Sequence, residues 1–332
     1  DRIGKPIVMS AEAETSEIIR RRLFEWHGIP REAQAVISEY ADWVQDHRQQ
    51  LPSWFPIDNA YEAFQDTYPF HPSVLSVFER KWQVLPRFQQ TRGVLRLLAL
   101  WVSRAYLEGF KGAHRDPLIG LGTAPLDDPQ FRAAVFEQLG ESKLEGAVTT
   151  DICGKRDSHA IRLDKEAVAA IKKSRLHRKV ATTIFFESNG GMARVEATLP
   201  EIRAAVAEPE LDIANTETVL EALTSNCYFL TVERNSYRFG TKPNLIKLLA
   251  DRRAVIKEDK IEERVRKIVE KVFTQGNSLG RVFYPEKSNQ VPDRPVLTLV
   301  ILAPDRTMQD PKTLEFIESM IREHGATART FK

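Results

Sequence analysis

Residues Tyr68–Leu98 read YPFHPSVLSVFERKWQVLPRFQQTRGVLRLL. Pro72 and Pro86 bound an apolar stretch, and apolar residues at helical spacing predict a helix over 73–82. A short basic turn follows. A second, strongly apolar helix is predicted over 93–110, opened by Gly93 and carrying Val94, Leu95, Leu97, Leu98, Leu100, Trp101 and Val102. So apolar a helix belongs at the centre of an all-helical bundle. Arg96, three residues after Gly93, is the one charge in its first apolar turns.

Working outward, the segment before this pair also reads as helical. TSEIIRRRLFEW over 15–26 puts Ile18, Ile19, Leu23 and Trp26 on one face, with Thr15 or Ser16 as N-cap candidate. A further helix is predicted over 32–50, ended by Pro52. Residues 1–110 therefore form an all-α segment. From 111 to 129 glycine and proline accumulate, which predicts an irregular surface connection reaching to about 145. Helices near 130–139 and 164–179 then bracket the polar stretch DICGKRDSHA.

Residues 146–275 read as a winged-helix unit with flanking helices. Helices over 199–207 and 215–226 precede two strands, 228–232 and 237–239, separated by Arg234-Asn235-Ser236. One long charged helix is predicted over 244–273. Val296–Leu302 is an unbroken apolar run followed by a helix over 311–323, which predicts a buried parallel strand and its crossover, the start of an α/β portion over 276–332. The fold class expected is mainly α, with a winged-helix unit and a C-terminal α/β portion.

Composition narrows the function. The 332 residues are 42% hydrophobic, enough for two or three domains. Lys and Arg number 48 against 46 Asp and Glu, a net charge of +2, so nucleic-acid binding would need a local patch. Two cysteines, Cys153 and Cys227, fit a reducing cytoplasm and exclude a thiolate zinc site. No apolar run reaches the roughly 20 residues of a membrane span. The first residue is Asp1, and the chain stops soon after a helix, so a fragment of a longer protein is expected.

The stretches TYPFHPSVLSVFERKW, LPRFQQTRGVLRLLA, DPLIGLGTAPLDDPQFRAAVFEQLGE, YRFGTKPNLIKLLADRRA and LTLVILAP resemble a family of large prokaryotic AAA-type ATP-binding proteins. That family is related to the ATPases of bacteriophage-exclusion systems, which are encoded near DNA methyltransferases and helicases. The resemblance implies that residues 1–110 are a helical ATPase lid and that Arg96 is its sensor-2 arginine, reaching the β/γ-phosphates of ATP. Arg92, beside Gly93, is the next candidate and Arg87 a third. It implies ATP and magnesium as cofactors of the parent protein, held by an ATPase core upstream in the same polypeptide. The P-loop pattern G-x-x-x-x-G-K-[ST] is not met here, since Gly4-Lys5-Pro6 and Gly154-Lys155-Arg156 both lack the upstream glycine and the following Ser or Thr. The chain alone is therefore expected to be inactive, with no catalytic residue of its own.

The alternative is a non-enzymatic DNA-binding or scaffold protein. Arg234, Arg238 and Lys242 on the wing would contact a DNA backbone, and Lys172, Lys173, Arg175, Arg178 and Lys179 form the densest basic cluster. Against it, the helix in the recognition position carries Glu217 and Glu221 and no basic residue, which repels phosphate. Cys153, Asp157 and His159 lack the further ligands a metal would need, so no metal site is expected. His71 reads as a turn histidine with no carboxylate nearby in sequence. Val300–Asp305 reads as a core strand, not a magnesium-holding strand.

Overall fold

A computed structural model describes residues 11–25, 28–88, 90–112, 116–154, 157–190, 196–276 and 279–322. The chain is mainly helical and divides into two units, 1–248 and 249–332. Among the described residues no helix is long and apolar enough to cross a membrane.

The first unit opens with α1 (Ala11–Leu23), α2 (Ala33–Asp46) and α3 (Ala60–Thr67). Ser16 lies inside α1 and not at its N-cap, and the predicted end at Trp26 lies outside the described residues. Next comes α4 (Pro72–Val77), which runs directly into a π-turn over Phe78–Trp82. His71 caps α4: its Nδ1 accepts the backbone N–H of Ser73 at 3.2 Å, and Pro72 occupies the first turn, where a missing N–H costs nothing. Helix α5 (Gln90–Phe110) packs against α6 (Pro129–Leu139), whose N-cap Asp128 accepts from Gln130 and Phe131 N–H at 2.9 Å each.

The burial of His71 has a pH consequence. With 2% of its surface exposed, its pKa is pushed down to about 3. The unfolded imidazole takes a proton near pH 6.5, whereas the folded one stays neutral, so stability falls as pH drops through that window. Between about pH 7 and about pH 5 the wild type should lose about 2 kcal/mol more than His71→Asn, which keeps a capping oxygen, in urea titrations. Parallel pH profiles would contradict this account.

From Leu118 on, the segment between α5 and α6 is not a surface connection. Leu118, Leu121 and Leu126 are buried, and Gly122 lies so close to the central helix that a Cβ would sit 2.8 Å from the Lys179 carbonyl oxygen. Only glycine fits there. After a short α7 (Glu145–Ala147) and a second π-turn (Val148–Ile152), the predicted helix over 164–179 is three helices: α8 (His159–Glu166), α9 (Ala169–Ser174) and α10 (Leu176–Ser188). Arg175 ends α9 in the left-handed region, φ 54°. Asp164 then caps α10 by accepting the N–H of His177 and Arg178 at 2.9 and 3.1 Å. Helix α10 is buried almost all round, so it shows no amphipathic period to read.

A two-residue strand β1 (Ala197–Thr198), unforeseen in the sequence, precedes α11 (Leu199–Ala205), α12 (Asn215–Asn226) and the hairpin β2 (Leu230–Glu233) and β3 (Ser236–Phe239). The sheet is antiparallel in the order β1-β3-β2, with Ala197 opposite Tyr237 and Leu230 opposite Phe239. The predicted segments 1–110, 111–145 and 146–275 all contribute to one apolar core, the last of them through residues up to Phe239, around Trp82, Trp101, Phe131, Phe186 and Phe239. A second core gathers Tyr40, Trp43, Phe55 and Phe64 between α2 and α3.

The unit boundary falls within α13 (Leu245–Val255), and α14 (Glu258–Phe273) follows, so the single helix predicted over 244–273 is two, broken at Lys257 with ψ 143°. In the second unit β4 (Gly280–Phe283), also unforeseen, pairs in parallel with β5 (Thr298–Ile301), and α15 (Pro311–Arg322) comes next. The parallel pairing agrees with the expected α/β character. Of β5 only Ile301 is buried, the rest being half-buried.

Candidate functional site

The first turns of α5 carry Arg92 and Arg96, the two residues that the sequence singles out as phosphate-binding candidates. Arg92 and Arg96 are four residues apart, hence on one face, and both are exposed. Gly93 between them is buried against α6, where a Cβ would meet Gln138 Oε1 at 2.6 Å. That close approach brings the preceding residue of α6 to Arg96: Nη1 donates to Glu137 Oε2 at 2.9 Å. The two side chains are 60% and 59% exposed, and such a surface pair is worth about 0–1 kcal/mol. Arg96 can therefore exchange Glu137 for another anion at little cost. Arg87 lies with its side chain against Gly140 at the end of α6.

Behind this surface the π-turn places two cations against two carboxylates. Arg80 donates to Glu187 Oε1 at 2.8 Å and Glu201 Oε1 at 3.0 Å, and Lys81 Nζ lies 3.0 Å from Glu187 Oε2 and from Glu201 Oε1. The Arg80 guanidinium also covers the Trp54 ring at 3.8 Å. Burial pushes the Glu187 carboxyl up despite the two cations. For Glu201 burial acts upward too, but Lys81 and the Thr198 N–H outweigh it and hold the group below its usual range. Glu201 closes a capping box with Thr198 at the start of α11. The Thr198-x-x-Glu201 pattern was visible in the sequence; its pairing with Arg80 and Lys81, more than a hundred residues away, was not.

Next to this quartet is a cleft of about 620 Å³ lined by Lys81, Glu196, Thr198, Glu201, Glu233, Arg234 and Ser236. Arg234 and Asn235 form the hairpin tip, both at positive φ (47° and 64°), as a two-residue type I′ turn requires. Arg234, Arg238 and Lys242 are exposed. On α12, Glu217 is paired with Arg203.

The basic cluster at 172–179 does not form one surface. Arg175 pairs with Asp116 at 2.7 Å, Arg178 is held by Asp127, and Lys179 is buried between Asp116 and Glu208. Lys172 and Lys173 remain exposed, the first bonded to the Lys165 carbonyl and the second 3.5 Å from Glu210. Sequence proximity grouped these residues, while the turn at Arg175 sends them to different neighbours.

No curated protein and no solved structure matches this chain. The family described as DUF499 second domain matches residues 10–239, a stretch that ends on the last residue of β3. That stretch is more than half of the chain, so the chain belongs to the DUF499 second-domain family.

Proposed function

We propose that this chain is the lid and winged-helix portion of an AAA-type ATP-binding protein, with Arg96 completing the nucleotide site from the lid side. The observation that carries this reading is the pair of exposed guanidiniums at Arg92 and Arg96, with Gly93 tucked into α6 between them. A planar guanidinium fork suits phosphate oxygens. ATP and magnesium would be held by a core supplied outside these residues, and γ-phosphate would draw Arg96 away from Glu137. The order α10, β1, α11, α12, β2, β3, with sheet order β1-β3-β2, supports a winged helix behind the lid. The quartet of half-buried Arg80 and Lys81 with buried Glu187 and Glu201 ties the π-turn to that unit, a rigid path by which lid movement would reach it. Action on DNA in phage defence, alongside methyltransferase or helicase partners, is the extension that the sequence resemblance supports.

In the full-length protein that carries this domain, Arg96→Ala should lower ATP turnover at least about tenfold, about 1.4 kcal/mol of transition-state stabilisation, with an unchanged melting temperature. Equal turnover in the variant would reject the assignment.

A second reading, DNA contact through the wing, is favoured by the exposure of Arg234, Arg238 and Lys242. Three phosphate contacts give a slope of log K against log salt of roughly −3. Duplex binding with that slope, lost in Arg234→Glu/Arg238→Glu, is the expected result; no binding at low salt removes this reading. Lys172 and Lys173 would add to the slope only if DNA reached α9, whereas the bond of Arg178 to Asp127 leaves it little to offer.

A further inference from the structure

Between the two apolar cores of the first unit lies a crevice of about 20 Å³ whose wall includes Tyr40, His71, Lys179 and Glu208. The protonation of His71 follows from donor and acceptor accounting. Nδ1 lies 2.8 Å from the Ser73 hydroxyl, which can donate or accept, and 3.2 Å from the Ser73 backbone N–H, which can only donate; both contacts are met together when Nδ1 presents its lone pair. The proton of the neutral ring is then on Nε2. That N–H is buried and meets no protein acceptor. Phe64, Phe55 and Tyr40 surround the ring at centroid distances of 5.2 to 6.2 Å, so two of its neighbours are wholly apolar. A buried donor left without an acceptor is costly.

We propose that this crevice is a binding site for one ordered water molecule, which accepts the Nε2–H of His71 and donates to the oxygens of Glu208 and Tyr40. Its volume suits a single water, which needs roughly 10–15 Å³ of such space and two to four polar partners. The Glu208 carboxylate already takes the ammonium of Lys179, a residue of α10 in the main core, while Tyr40 belongs to the core between α2 and α3. The water thus joins the two cores through a hydrogen-bonded layer where apolar packing is interrupted.

Two measurements on the wild-type chain decide the matter. Long-range ¹H–¹⁵N spectra should show His71 neutral at pH 7 with its proton on Nε2, and a crystal structure that resolves ordered solvent should place a water roughly 2.7–3.2 Å from Nε2. A proton on Nδ1, or density showing a side chain or nothing against Nε2, overturns the proposal. As a variant, His71→Phe should reduce the number of long-lived internal waters, counted by ¹⁷O relaxation dispersion, by one. An unchanged count in a folded variant also overturns it, and should the variant not fold, the wild-type measurements stand alone.

Discussion

Trp82→Ala should lower the free energy of unfolding by about 3–5 kcal/mol, the range for removing a large aromatic side chain from a packed core. Trp82 has none of its surface exposed. Its ring stacks on Phe186 with centroids 5.3 Å apart and 16° between planes, and meets Phe78 edge-on at 5.4 Å. Its Nε1–H donates to the Phe186 carbonyl at 3.0 Å. The residue therefore fastens the π-turn to the end of α10, on which the hairpin rests through the Ser188 hydroxyl and the Phe239 N–H. Trp82→Phe keeps most of the stacking and removes the hydrogen bond, so its loss should be smaller than that of the alanine variant. Urea titration of both variants tests the ranking. A loss below about 1 kcal/mol for Trp82→Ala would mean that the ring does not hold these elements together.

Replacing both Arg80 and Lys81 by methionine should destabilise the domain by about 3–5 kcal/mol at neutral pH, because it leaves Glu187 buried without a cation. Methionine keeps most of the apolar stem, so packing loss is a minor part of the effect. The sign of the pH dependence separates the two causes. Burial already raises the Glu187 pKa, and without its cations it rises further. A carboxyl whose folded pKa lies above its unfolded value costs stability when it must ionise, and that cost disappears as pH falls through the folded pKa. Glu201 works in the opposite direction: its lowered pKa contributes stability above the unfolded carboxylate range, lost as pH falls. That contribution rests on Lys81, so it too is reduced in the double variant. The gap between wild type and variant should therefore narrow as pH is lowered toward about 5. A gap independent of pH would assign the loss to packing.

Much of the first unit was legible because its helices are punctuated. Pro72, the Asp128-Pro129 pair and Asn215 each open a helix where the sequence predicts one. The hairpin was legible from its turn residues and alternation. Three features were not. Helix α10 is buried on nearly every side and so lacks the period that reveals a helix, and its start depends on Asp164, thirteen residues before His177. Strands β1 and β4 are two and four residues long, and each exists through pairing with a partner distant in sequence. The break at Lys257 lacks the proline or glycine that would announce it.

At the candidate site the division runs between residue type and residue company. Gly93 and Arg96 were identifiable by spacing, but no local pattern shows that Gly93 is a contact point for Gln138 or that Glu137 holds Arg96. Conversely, the dense basic run at 172–179 promised a patch, and tertiary packing distributed its members among Asp116, Asp127 and Glu208.

By itself, then, the sequence determined the helical character of residues 11–110, the helix-helix-hairpin order and the exposed arginine pair on α5. These depend on local chemistry: periodicity, capping residues and turn residues act over a few positions. Only the tertiary structure decided that elements from α1 to β3 contribute to one large core, that four charges gather at the π-turn, and which basic residues stay exposed. Those outcomes depend on contacts between residues dozens to more than a hundred positions apart. Their energies come from burial and from charge pairing at low dielectric, which no local pattern encodes.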